Sequence, residues 1–252
     1  MAKQHIEVNF DQDFESLREL NQRWTLSEKV FFEFSSVYQA LRVWKSHFAI
    51  AGDLKGAVIH SPPHDPPDVV LEFESGQLSV EHTQFLPESR GRLRSIHRSQ
   101  FPNSAIFVPA VSKKFRKNKD LVKAMFEPLH NPPSPIDEAA AFCDILTDAV
   151  DNKLAAHEPD LLVVTDSVPL MEDFATVALV LIYRLRSSEL RSSSKTSILF
   201  HSELDPWQRR YSSWLISQQG KDVRYRDSKG VTCENLEEYT SRPFYEIRRW
   251  YR

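Results

Sequence analysis

In the stretch PPDVVLEFESGQLSVEHTQF, Pro66 to Phe85, the acids Asp68, Glu72 and Glu81 interrupt an otherwise apolar rhythm. Carboxylates gathered on one face repel each other unless a cation lies between them, and oxygen donors of this kind select hard divalent ions such as Mg²⁺ or Mn²⁺. Such an ion polarises bound groups and lowers the pKa of an attacking water, so the chemistry in question is that of a metal-binding catalytic face. The plain alternative is the solvated face of a half-buried hairpin, which is normal for antiparallel strands.

The turn decides which side chains share a face. With Ser75-Gly76 as a two-residue loop, Glu74 pairs with Gln77, Glu72 with Ser79, Val70 with Glu81 and Asp68 with Thr83. Asp68, Glu72, Glu81 and Thr83 then form a polar face, and Val69, Leu71, Phe73, Leu78, Val80 and His82 an apolar one. Opposed and diagonal neighbours lie roughly 4.5 to 8 Å apart, near enough for Asp68 and Glu81 to share one cation. His82 falls on the apolar side and reads as a core or strand-end histidine.

The elements that must position this hairpin are marked by punctuation and period. Thr25 and Glu28 make a capping box, and Val30, Phe34, Val37, Leu41, Trp44 and Phe48 recur at helical steps, predicting a helix from about Leu26 to Ile50 that stops at Gly52. SPPHDPP, Ser61 to Pro67, breaks the chain before the hairpin, and NPPSP, Asn131 to Pro135, breaks it again. His60 and His64 in the first break are four apart, but the prolines deny them the helix that would stack them. Ile136, Ala140, Cys143, Leu146, Val150 and Leu154 mark a second helical face, with Cys143 in the core. LLVVTD, Leu161 to Asp166, and TSILFHSE, Thr196 to Glu203, read as buried strands. Helices alternating with strands predict one α/β domain over residues 1–252, a mixed sheet flanked by helices, with its core at about 26–203 and a helical extension at about 204–252.

The formal net charge of −3 hides an uneven distribution. Between Arg90 and Lys123 stand ten Lys or Arg and a single acid, Asp120, a net of +9, so the rest of the chain carries −12. Arg90, Arg92, Arg94, Arg98, Lys113, Lys114, Arg116 and Lys117 lead this block, and a basic block in an acidic protein fits a polyanion, nucleic acid first. A solvated Lys-rich loop is the competing reading. The 2 Cys have neither disulfide nor zinc spacing, the N-terminus has no secretory pattern, and the apolar run from Phe174 to Tyr183 is about half the ~20 residues of a membrane span, so a cytoplasmic protein without membrane partners is expected. Nothing here sets an oligomeric state. P-loop, dinucleotide, zincin and nucleophile-elbow motifs are absent from the sequence.

An N-terminal helix, Pro67-Asp68 opening a strand, a tight turn, Glu81-His82-Thr83 on the next strand, then a helix and further strands resemble the PD-(D/E)XK, restriction-endonuclease-like nuclease superfamily over about Leu26 to Glu203. PDVVLEF…GQLSVEHT looks like a degenerate bacterial branch with Glu-x-Thr in place of Glu-x-Lys. The resemblance implies the restriction-endonuclease-like mixed sheet, an Mg²⁺ or Mn²⁺ ion on Asp68 and Glu81, and Thr83 where active members carry the lysine that activates water. Lys153, near the end of the second helix, and the basic block are candidates for the relocated cation. Gln84 is a candidate for orienting water, and Glu28 or Glu33 for an additional acid, with helix capping the better account of Glu28. Two functions follow: a metal-dependent nuclease-like phosphodiesterase, or an inactive module of the same shape that binds nucleic acid or a partner protein. A scaffold with an incidental hairpin is a third.

Overall fold

Residues 3–11, 14–24, 26–60, 67–85, 135–166, 184–185, 188–205 and 210–234 are described by the computed structural model. The basic block from Arg90, His64, the run from Phe174 and residues 235–252 lie outside them. Chain-order neighbours pair throughout one nine-stranded open sheet: β1 (Lys3–Glu7), β2 (Leu54–His60), β3 (Val69–Phe73), β4 (Gly76–Phe85), β5 (Leu161–Asp166), β6 (Ser197–Asp205), β7 (Arg210–Ile216), β8 (Val223–Asp227) and β9 (Thr232–Cys233). β4, β5 and β6 run parallel and every other pairing is antiparallel, so the fold is α/β with a mixed sheet. The helical extension expected from about residue 204 is corrected by β7, β8 and β9. Their inward residues Trp214, Leu215, Ile216, Val223, Tyr225 and Cys233 are buried against the sheet, and tertiary packing of this kind overrides a weak local pattern.

Helix α1 (Phe14–Trp24) precedes α2 (Glu28–Val43), and the short α3 (Lys45–Phe48) runs into a 3-10 turn over Ala49–Ala51. Helix α2 is capped by Ser27, whose Oγ accepts from Val30 N, while the expected cap Thr25 lies outside the described residues. Gly52 ends the 3-10 turn at φ 85°, a conformation that β-carbon-bearing residues rarely adopt. The helical stripe lands where the periodicity put it. Phe34, Val37, Tyr38, Leu41 and Trp44 pack on one face of the sheet against Val69, Leu71, Val80, Leu161, Val163, Leu199 and Leu215. The Trp44 indole N–H donates to Ser213 Oγ at 2.8 Å, pinning the end of α2 to β7.

Pleating turns Leu162, Val164, Ile198 and Phe200, all buried, to the opposite face. There α4 (Pro135–Ala156) buries Cys143, Leu146, Val150 and Leu154, as its period requires. Burial raises the Cys143 thiol to about 12, which leaves it an inert core residue. Helix α5 (Glu189–Ser193) supplies the wholly buried Arg191, whose guanidinium donates to the carbonyls of Thr196, at 2.8 Å, and of Ser217. Among the described residues no helix is long and apolar enough to cross a membrane.

Candidate functional site

The β3–β4 hairpin forms, but its turn is one position earlier than the dipeptide Ser75-Gly76 suggests. Phe73 pairs with Gly76, Glu72 with Gln77, Val70 with Ser79 and Val69 with Val80, leaving Glu74 and Ser75 in the loop. The turn is not free to choose its own geometry. Glu74 N donates to Asp53 O, and Ser75 uses both its N–H and its hydroxyl on Ala51 O. The whole register is thereby displaced by two residues, an even number, so each side chain keeps its face. Continued by one step, it sets Asp68 level with Glu81 in place of Thr83.

The apolar face is as expected: Val69, Leu71, Phe73 and Val80 are core, Leu78 packs against it and His82 is buried. The polar face departs from expectation. Glu72 is half-buried and meets His5 Nε2 at 2.7 Å, Thr83 is half-buried, and Glu81 is buried under α4. This end of the hairpin is not a wet face, because α4 lies over it.

What permits a carboxylate there is Lys153, in the last turn of α4, whose ammonium donates to Glu81 Oε1 at 2.6 Å. A charge out of water is tolerated when paired, and this pair spans 72 residues of sequence. Among the described residues the other oxygen, Glu81 Oε2, is buried with no hydrogen-bond partner. A buried acceptor left unsatisfied costs about 1–3 kcal/mol.

Asp68 stands at the opening of β3, where its Oδ2 accepts the His82 backbone N–H at 2.7 Å. A second Pro-Asp pair, Pro159-Asp160, opens β5 in the same way: Asp160 Oδ2 accepts from Ser79 N at 2.8 Å and from Ser79 Oγ at 2.6 Å. β4 is therefore held at Ser79 and at His82, on either side of Glu81, by aspartates from its two neighbouring strands. Strand capping alone accounts for Asp160. Asp68 differs in standing level with the unsatisfied Glu81.

On the α2 face His82 Nε2 is 2.9 Å from Thr165 Oγ1. Burial first, and then the Lys153 charge, hold the His82 imidazole down at about 4, so it is neutral at physiological pH. His201, two strands away on β6, is likewise lowered to about 4 by burial; it stacks on Tyr211, and its Nδ1 has no hydrogen-bond partner among the described residues. Neither histidine was singled out as functional from sequence. The available signal was an imidazole at an inward position of β4 and a hydroxyl at an inward position of LLVVTD.

Asp68, Glu81, Thr83 and Lys153 are thus brought to one end of one sheet face. Gln84 is exposed on β4 with the parity of His82, and Glu33 pairs with Lys29 at 3.6 Å on α2, across the sheet from Glu81. Glu28 is the first residue of α2, directly after the Ser27 cap, and so is not the third helical residue that a Thr25–Glu28 capping box requires. Arg90, Arg92, Arg94, Arg98, Lys113, Lys114, Arg116 and Lys117 lie outside the described residues. Among the described residues no group of three or more His, Cys, Asp or Glu is placed to hold a metal. The oxygen donors at this end of the sheet are the two carboxylates of Asp68 and Glu81, each with one oxygen already engaged by a group of the chain. Comparisons with protein-family models, with curated proteins and with solved structures found no match to this chain.

Proposed function

We propose that this chain is a metal-dependent, nuclease-like phosphodiesterase acting on nucleic acid, with Asp68 and Glu81 holding Mg²⁺ or Mn²⁺ and Lys153 supplying the positive charge. The observation that carries the reading is the Lys153–Glu81 contact at 2.6 Å. The superfamily that the sequence resembles places a lysine two residues after the glutamate. Here that position is Thr83, and a lysine from a different element reaches the same carboxylate. The order of α2, the β2–β3–β4 meander, α4 and the parallel β5 supports the restriction-endonuclease-like reading of the fold.

A bound divalent ion would polarise the scissile phosphate and acidify its water. The chain's own part is electrostatic. Lys153 pairs with Glu81 beneath α4 and presents an ammonium where negative charge accumulates on an attacking oxygen, while Thr83, on the same strand as Glu81, offers a hydroxyl to orient that oxygen. The basic block from Arg90 to Lys123 would grip the phosphate backbone.

A second reading, an inactive module binding nucleic acid or a partner protein, draws on the engagement of Asp68 Oδ2 and Glu81 Oε1 by groups of the chain itself. The test is incubation of wild type, Glu81→Gln and Lys153→Met with single- and double-stranded DNA and RNA in Mn²⁺. Cleavage by wild type that falls about 10²-fold or more in both variants, the scale of removing one preorganised group, supports the enzyme. Nucleic-acid binding without cleavage in any form supports the module.

A further inference from the structure

Between Glu81 and Thr83 stands a residue whose main chain and side chain reach toward the two different strands that flank β4. The His82 N–H donates to Asp68 Oδ2 at 2.7 Å, while its ring reaches diagonally along β5 to Thr165 Oγ1 at 2.9 Å. Both ends of that second contact are deep: His82 is 6% and Thr165 8% exposed. An imidazole and a hydroxyl buried separately would each cost more than an apolar side chain filling the same space, so their presence is accounted for only by each satisfying the other. The contact ties β4 to β5 at the residue whose amide donates to the Asp68 carboxylate. Three residues earlier Asp160 ties β4 to the start of β5 through Ser79, so the segment bearing Glu81 is restrained at both ends.

Resting on the metal-site reading above, we infer that His82 and Thr165 are positioning residues: the Thr165 hydroxyl fixes the His82 ring, and through the His82 amide sets the Asp68 carboxylate for a divalent ion it never touches. Ligating carboxylates are themselves held by hydrogen bonds, and removing such outer partners weakens metal binding by about 10- to 100-fold.

The decisive variant is Thr165→Val, which removes the hydroxyl and nearly keeps the shape, with Thr165→Ser as the conservative control. Two readouts are taken on the full chain: calorimetric titration with Mn²⁺, and residue-resolved amide hydrogen exchange without metal. The expected result is Mn²⁺ affinity about 10-fold or more weaker in Thr165→Val and near wild type in Thr165→Ser. The His82 amide should exchange about two- to tenfold faster in Thr165→Val, the range of one lost hydrogen bond, while Val163 and Leu199 stay unchanged. Unchanged Mn²⁺ affinity in Thr165→Val, or uniform acceleration of all core amides, would overturn the inference and leave the pair as core packing. If wild type itself binds no Mn²⁺, the metal-site reading fails separately. The exchange data then still decide whether Thr165 governs the His82–Asp68 bond: selective acceleration at His82 upholds that link and no change at His82 refutes it.

Discussion

Lys153 Nζ and Glu81 Oε1 meet at 2.6 Å, the lysine side chain 37% exposed and the glutamate 7%. The asymmetry has an energetic consequence. Lys153→Met strands a carboxylate beneath α4, whereas Glu81→Gln leaves an ammonium that can turn to water. For fully buried pairs the first kind of loss costs about 3–5 kcal/mol; with one partner a third exposed and solvent-screened, about 1–3 kcal/mol is expected. Urea titration should show Lys153→Met destabilised by that amount, and Glu81→Gln added to it should recover part of the loss. Additive losses in the double variant would mean that the two side chains are not coupled.

Thr83 shares β4 and a sheet face with Glu81, so a lysine placed there competes with Lys153. Thr83→Lys in the wild-type background should therefore lower or leave unchanged any Mn²⁺-dependent cleavage, and in the Lys153→Met background it should raise it. Because Thr83 is half-buried, the substitution costs more than the ~0.5 kcal/mol of an exposed site. A rate increase in the wild-type background would show that Lys153 does not fill the role.

His201 gives a pH signature independent of function. Its folded pKa of about 4 lies below the ordinary value of 6.5, so the folded state binds fewer protons than the unfolded one. The stability this represents is fully present above pH 6.5, is lost as pH falls through about 4, and amounts to about 3 kcal/mol. Tyr211 is the ring stacked on it, at 5.6 Å, and Phe preserves that stacking. His201→Phe should raise Tm and flatten its fall between pH 6.5 and 4, with His82 and His47, whose values are also lowered, still contributing to that fall. A Tm–pH curve parallel to wild type would contradict the assignment.

For the basic block, each phosphate neutralised on duplex DNA contributes roughly −0.9 to the slope of log K against log salt. Replacing Lys113, Lys114, Arg116 and Lys117 by Ala should weaken binding at low salt and flatten that slope. Binding indifferent to these changes returns the block to a solvated loop.

Much of the hairpin was legible because period-2 alternation survives an even displacement: Asp68, Glu81 and Thr83 share a face in either register. The displacement itself was not legible, since it comes from Glu74 and Ser75 docking on residues 51–53, a contact between separate segments. Helices α2 and α4 and strands β5 and β6 announced themselves through long apolar periods or runs. Strand β7 did not, because YSSWLI carries serines at inward positions that are satisfied only in three dimensions, Ser213 by Trp44. Glu81 looked solvated for the same reason: the lysine that permits its burial lies 72 residues away.

The central claim is that Asp68 and Glu81 together hold a divalent ion, and calorimetric titration of Mn²⁺ into wild type and the Asp68→Asn/Glu81→Gln double variant tests it most directly. The unsatisfied Glu81 Oε2 predicts saturable binding in wild type that the double variant loses. Wild-type protein that takes up no Mn²⁺, or a double variant that binds it as well, would contradict the account.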